Sequence, residues 1–218
     1  MTKIIATNLE ISDWFESLED KVDMWITDPP YPFNNKNGSK RFNHEDGVDG
    51  MYDRLDWKDL SEVFERMYDE SNPGARAYVF CNRDGLFKTK EYLEAAGWTF
   101  RNLIVWDKLA MGMGYHWRNQ VEYIVYATKG KTKNYVKSSP NIFKYKKPRA
   151  KDSIPSIGYN PSGVSPKPYQ IWDIIMSQQL MEGEIVADPF AGSEPLRAAV
   201  EMNSDIKELL KKAYVNSY

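Results

Sequence analysis

A single cysteine, Cys81, occurs in the 218 residues, so no internal disulfide can form and a reducing compartment is expected. Histidine is almost as scarce. His44 and His116 lie far apart and, with Cys81, give no zinc-like spacing, so no metal is expected. No apolar run approaches the roughly 18 residues a membrane span needs, and the opening MTKIIATNLE lacks the apolar core of a signal peptide. A soluble intracellular protein is expected. An excess of one charge is missing too: 29 Lys and Arg face 31 Asp and Glu, for a formal net charge of −2. That balance excludes a wholly basic nucleic-acid coat but leaves room for a local basic face. What is present is core material. Hydrophobic residues make up 42% and charged residues 28%, which rules out a disordered or collagenous chain. The length suits one α/β domain, or one with a small appendage.

Runs of β-branched and aromatic residues between turn formers predict strands at Ile4–Ala6, Val22–Thr27, Arg76–Phe80, Leu103–Trp106, Val121–Ala127 and Glu184–Ala187. These strands are apolar at nearly every position, which predicts a sheet covered on both faces. Helical spacing predicts helices around Leu60, Val63, Phe64 and Met67, over Leu86–Ala96, Tyr169–Met181 and Ser193–Met202, and from Ile206 to Val215. Asn72-Pro73-Gly74 is read as the stop of the first of them. Alternating strands and helices predict a doubly wound α/β sheet.

Between Thr128 and Pro166 the rhythm weakens. Lys129, Lys131, Lys133, Lys137, Lys144, Lys146, Lys147, Arg149 and Lys151 follow one another without an intervening acid, and Tyr135, Phe143 and Tyr145 are interleaved. Such a stretch can neutralise phosphates, or it can be a solvated face. Asn134, Ser138, Ser139 and Asn141 lie within it and could read base edges.

Two short motifs carry chemistry. Asp28-Pro29-Pro30-Tyr31 stands at the end of a buried strand, the place where open α/β sheets bind ligands. The two prolines fix the backbone and remove N–H donors, leaving an acid, a rigid carbonyl and an aromatic plane side by side. That set suits a flat base bearing an exocyclic amine. Asp188-Pro189-Phe190-Ala191-Gly192-Ser193 is a second strand end leading into a helix, where glycine permits close backbone approach and the helix start favours an anionic group.

Together these motifs resemble the β class of DNA amino-methyltransferases, whose permuted order places the catalytic motif before the cofactor motif. VDMWITDPPY, GARAYVFC, FRNLIVWDK and YHWRNQVEYIVYATKG resemble the successive sheet motifs of that family, and SPKPYQIWDII its Lys-Pro helix. The resemblance implies a Rossmann-like doubly wound methyltransferase sheet, mostly parallel with one antiparallel strand. Residues 1–130 and 166–218 would form the catalytic domain, and 131–165 a small target-recognition insertion.

It also implies roles. Asp28 and Pro29 would grip the target amine, Pro30 would complete the same catalytic motif, and Tyr31 would stack on a flipped base. Asn8, Asp28, Lys167, Asp188, Phe190, Gly192, Ser193 and Asp205 would surround S-adenosylmethionine, and Lys129, Lys131, Lys133, Lys137, Lys144, Lys146, Lys147 and Arg149 would contact DNA. The acid form of the tetrapeptide usually goes with adenine in the family, so N6 of adenine is the favoured target. N4 of cytosine, RNA, or an inactive DNA-binding relic stand as alternatives. DNA is the implied partner. A homodimer and a separate restriction endonuclease are compatible with the resemblance, as are a bacterial cytoplasm and a phage origin.

Two departures from the family stand out. Where the family turn has a second glycine, this chain has Glu194-Pro195. Proline suits a first helical turn, but the Glu194 charge near the cofactor carboxylate is expected to weaken binding. The family also has a strand after the helix ending near Asn203, placed between the last and first strands and finishing at a ribose-binding acid. Only Ser204-Asp205-Ile206 resembles its end, which predicts that residues are missing between Met202 and Ser204.

Overall fold

Apolar residues of both parities along β2 (Val22–Thr27) have a direct structural cause: each parity is buried against a different helical layer. Met24 and Ile26 pack on one face of the sheet against Ile171, Trp172, Ile175, Leu196 and Val200, whereas Trp25 packs on the other against Trp14, Phe15, Leu60 and Phe64, where Val22 joins it because the register shifts between Val22 and Met24. The computed structural model describes residues 3–30, 55–112, 116–132, 138–157, 159–162 and 166–216.

The remaining elements in chain order are β1 (Lys3–Thr7), α1 (Ile11–Glu16), α2 (Trp57–Asp69), β3 (Ser71–Cys81), α3 (Leu86–Ala95), β4 (Thr99–Asp107), β5 (Val121–Thr128), β6 (Ile142–Lys144), α4 (Tyr169–Gln179), β7 (Ile185–Asp188), α5 (Pro195–Met202), α6 (Ser204–Leu209) and β8 (Lys212–Asn216). The strands form one sheet in the order β1-β8-β7-β2-β3-β5-β4-β6. Only β5 among them runs antiparallel to its neighbours, β3 and β4. The carboxyl ends of the other seven strands therefore share one edge with the start of β5.

Helix α2 shows why local sequence and tertiary position agree. Asp56 caps it by accepting from the Lys58 and Asp59 amides, and Asp59 returns a bond to the Asp56 amide. Such a cap contributes about 1 kcal/mol. The opposite edge of the sheet is tied by a buried charge: Arg76 on β3 reaches Glu184 before β7 and the Gln179 carbonyl at the end of α4.

Three expectations are corrected. The strand expected to be missing is present as β8, lying between β7 and β1 in the predicted place. The chain is continuous through Asn203, which ends α5 and caps α6 with its side chain. The predicted helix from Ile206 to Val215 stops at Leu209, because Leu210 turns to extended backbone and leads into β8. Ile206, Leu209, Leu210 and Ala213 keep helical spacing across that junction, which masked the strand. Asn72-Pro73-Gly74 does not separate α2 from a later strand. It lies inside β3 as an outpouching, with Gly74 at φ +86°, so that Val22 pairs with Ser71 and Met24 with Arg76. Within residues 131–165, Ile142–Lys144 form β6, paired with Val105–Asp107.

Candidate active site

β2 and β7 are parallel neighbours, so the two motifs read from sequence leave the same edge side by side. Asp28 follows β2 with a partly exposed side chain, and Pro29 beside it is buried. Asp188 ends β7 and is fully buried. Its Oδ1 accepts from the Phe190 amide at 3.1 Å, while Oδ2 is buried without a hydrogen-bond partner among the described residues, as is Thr27 Oγ1. Burial pushes the Asp188 carboxyl up to about 7, with the Asp28 charge adding to that and nearby donors opposing it.

The turn after Asp188 is held by two backbone bonds. Ala191 donates to the Asn216 carbonyl at the end of β8, and Glu194 donates to the Ala191 carbonyl. Gly192 sits at φ +47° with open space where a Cβ would stand. Glu194 holds the left-handed geometry that a glycine would favour, at φ +55°, and pairs with Arg197 at 3.1 Å. A buried orphan oxygen beside an open glycine turn fits a ligand carrying donors and an anionic end.

Asp28 is not alone. Lys167, buried just before α4, places Nζ 2.6 Å from Asp28 Oδ2 and 3.4 Å from Glu122 Oε2. Glu122 Oε1 in turn lies 3.3 Å from Lys108 Nζ. Burial alone would push the Lys167 ammonium down, but the Asp28 and Glu122 carboxylates outweigh it and hold it above its usual range. Lys147 comes within electrostatic reach of the same group, and partial desolvation holds its ammonium below the usual range. Beneath the group, Trp172 donates to the Ile26 carbonyl and stacks on Phe80 at 4.8 Å. Cys81, at the end of β3, is buried there too, and desolvation pushes its thiol up to about 12.

The structure thus brings Asp28, Pro29, Pro30, Lys167, Asp188, Gly192 and Ser193 to one edge, with Phe190 packed beneath in the core. Tyr31 lies outside the described residues, as do His44, Lys133, Asn134, Tyr135 and Lys137. Asn8 is exposed at the end of β1, where the Asn216 side chain exchanges two hydrogen bonds with the Leu9 backbone. The family resemblance gives Lys167 to the cofactor, and in the structure its nearest acid is Asp28.

Two assignments are corrected by position. Asp205 lies exposed in the first turn of α6, ahead of β8, so it does not stand at that strand's carboxyl end. Asn216 does, and its side chain is committed to Thr7 and Leu9. Lys129 and Lys131 follow the antiparallel β5 and so emerge at the far edge, beside the start of β3. Lys129 Nζ donates to the carbonyls of Tyr68 and Ser71, at 2.6 and 3.0 Å, making it a structural residue. Lys144, Lys146, Lys147 and Arg149, exposed at and after the end of β6, do lie toward the Asp28 edge.

Glu122 and Lys108 escaped the sequence reading. The available signal was an acid inside an otherwise apolar strand, Val121–Thr128. Among the described residues no group of three metal-ligating side chains comes together, and no helix is long and apolar enough to cross a membrane.

A family model described as DNA methylase, of the N6/N4 type, matches residues 22–205. Among solved structures, M1.HpyAVI in complex with SAM is 18% identical, with a TM-score of 0.65 over 99% of this chain and 93% of that one. The cytosine-N4-specific PvuII DNA methyltransferase is 12% identical, with a TM-score of 0.68 over all of this chain and 83% of that one. At these identities the likeness is one of fold. No curated protein matches the chain.

Proposed function

The chain belongs to the S-adenosylmethionine-dependent N6/N4 DNA methylase family, and on that premise we propose that it methylates the exocyclic N6 amine of adenine in DNA. The observation that carries this reading is the pairing of Asp28 with the buried Lys167 at the same edge as Asp188 and the Gly192 turn. The acid form of the tetrapeptide, which the family usually couples to adenine, supports N6 over cytosine N4.

An aromatic amine is a weak nucleophile because its lone pair is delocalised into the ring. Asp28 and the Pro29 carbonyl each accept one amine hydrogen, drawing them out of the ring plane and freeing the lone pair. Lys167 fixes the carboxylate that does this, and holding the amine in line with the methyl donor supplies roughly 7–11 kcal/mol of a barrier. The proton that nitrogen releases after attack has Asp28 as its acceptor. S-adenosylmethionine, when bound, supplies an electrophilic methyl group on sulfonium. Asp188, Gly192, Ser193 and Asn8 are the residues that would hold it, with Phe190 beneath. The target nitrogen is inaccessible inside a duplex, so the base is extruded, and Tyr31 stacking offsets about 1–3 kcal/mol of that cost. Lys144, Lys146, Lys147 and Arg149 meet the phosphates, and 131–165 reads a short target.

Transfer of labelled methyl from S-adenosylmethionine to DNA and RNA, offered separately and digested to nucleosides, tests the reading. N6-methyldeoxyadenosine is expected. N4-methyldeoxycytidine would replace adenine by cytosine, label on RNA alone would replace the substrate, and DNA binding without label would remove catalysis.

A further inference from the structure

The described residues of the connection between β4 and β5 expose apolar side chains above a hydrogen-bonded stem. Trp117 is 90% exposed and Met111 65%, with Leu109 also open to solvent. Large apolar side chains in the open point to a partner surface. The stem beneath them is closely tied. Lys108 donates from its amide to Gln120, Gly112 donates to the Asn119 carbonyl at 2.9 Å, and the Arg118 guanidinium donates to Gly112 at 2.7 Å. A Cβ on Gly112 would stand 2.5 Å from the Asn119 oxygen, so that crossing admits glycine alone. Leu109 and His116 both hold left-handed backbone, at φ +56° and +60°. Leu109 lies in the tied stem and His116 stands beside Trp117, and left-handed backbone at such residues is held only where the surroundings impose it.

The loop is joined to the active site through charge. Lys108, at its root, contacts Glu122, which contacts Lys167, which contacts Asp28. Arg118 stands next to Trp117 in the chain, and Lys144, Lys146 and Lys147 lie on the same edge of the sheet. An exposed indole among cations suits a polyanion whose stacked rings can receive it.

We infer that Trp117 is a wedge that enters duplex DNA and holds open the gap left by the extruded base. This deepens the methyltransferase reading and rests on it. Apolar side chains that unstack a base step are a recurrent device for distorting a duplex. The wedge matters only where the target is paired, which separates it from a general binding contact.

The test uses the full chain and DNA free of adenine methylation, supplied either native or heat-denatured and chilled. Trp117→Ala is expected to lower labelled methyl transfer to native DNA by about 10- to 100-fold, the range of a lost base–aromatic stack, and to leave transfer to denatured DNA within about twofold. Trp117→Phe is expected to retain most of the native-DNA activity. Independently of turnover, native DNA is expected to quench wild-type tryptophan fluorescence more than that of Trp117→Phe. Equal loss on both DNA forms, no loss on either, or quenching equal to that of Trp117→Phe would overturn the wedge while leaving the methyltransferase in place. Trp117-dependent quenching without any methyl transfer would do the reverse. Neither signal in the wild type would overturn both.

Discussion

Lys167 Nζ lies 2.6 Å from Asp28 Oδ2, although 139 residues separate them in the chain. The contact makes a residue of the Lys-Pro segment a positioning group for the acid at the end of β2. Removing it leaves Asp28 and Glu122 buried or half-buried without their shared cation. Lys167→Met is expected to lower stability by about 3–5 kcal/mol in urea titrations. It is also expected to lower kcat by at least about 10²-fold, since small displacements of a reacting group cost that much. Adding Glu122→Gln to Lys167→Met should cost less than the sum of the two single changes, a coupling readable in a double-mutant cycle.

The Asp188 carboxyl makes stability fall as pH rises. Its folded pKa is raised from 3.8 to about 7. Between those values the folded chain holds a proton that the unfolded chain has released, so the stabilising difference is fully present below about pH 4. It is lost as pH climbs to about 7 and stays level above. Asp188→Asn is expected to remove this slope and to raise apo-protein stability at pH 8 by up to about 4 kcal/mol. Weaker binding of S-adenosylmethionine, measured by calorimetry, should accompany it. An unchanged pH dependence of stability would reassign the slope to other groups.

Two halves of one basic stretch should behave differently. Replacing Lys144, Lys146, Lys147 and Arg149 by alanine is expected to reduce the slope of log affinity for DNA against log salt by roughly 3–4, if all four meet phosphate. Lys129→Met should leave that slope alone and lower stability by about 1–3 kcal/mol, because it strands the Tyr68 and Ser71 carbonyls.

Glu194→Gly should relieve left-handed strain of about 1 kcal/mol, against which stands the loss of a partly exposed pair with Arg197 worth about 0.2–1 kcal/mol. The net change in stability is therefore small. Affinity for S-adenosylmethionine should rise, because a negative charge leaves the turn that would face its carboxylate. Unchanged affinity in calorimetry would separate Glu194 from the cofactor.

The sheet and both strand-end motifs were legible because buried strands write themselves as apolar runs, and because Asp28-Pro29 and Asp188-Pro189 punctuate two of them. What sequence could not supply was the side of the sheet on which a residue emerges. Lys129 and Lys144 belong to one unbroken basic run, yet the antiparallel β5 sends the first to the far edge while the parallel β6 delivers the second toward Asp28. Glu122 was hidden for the same reason, since its partners Lys108 and Lys167 come from distant elements. The last strand was hidden by a coincidence of spacing between a one-turn-and-a-half helix and the residues after it.

Because β8 is inserted between β1 and β7, β1 has no docking partner among the described strands until residues 212–216 have been made. A ribosome therefore releases β1 long before its place exists, and the edge that carries Asn8 closes only after synthesis has passed Asn216. A nascent chain halted at α5 can assemble β7 beside β2 but leaves β7 unpaired on its other side, exposing backbone that invites aggregation.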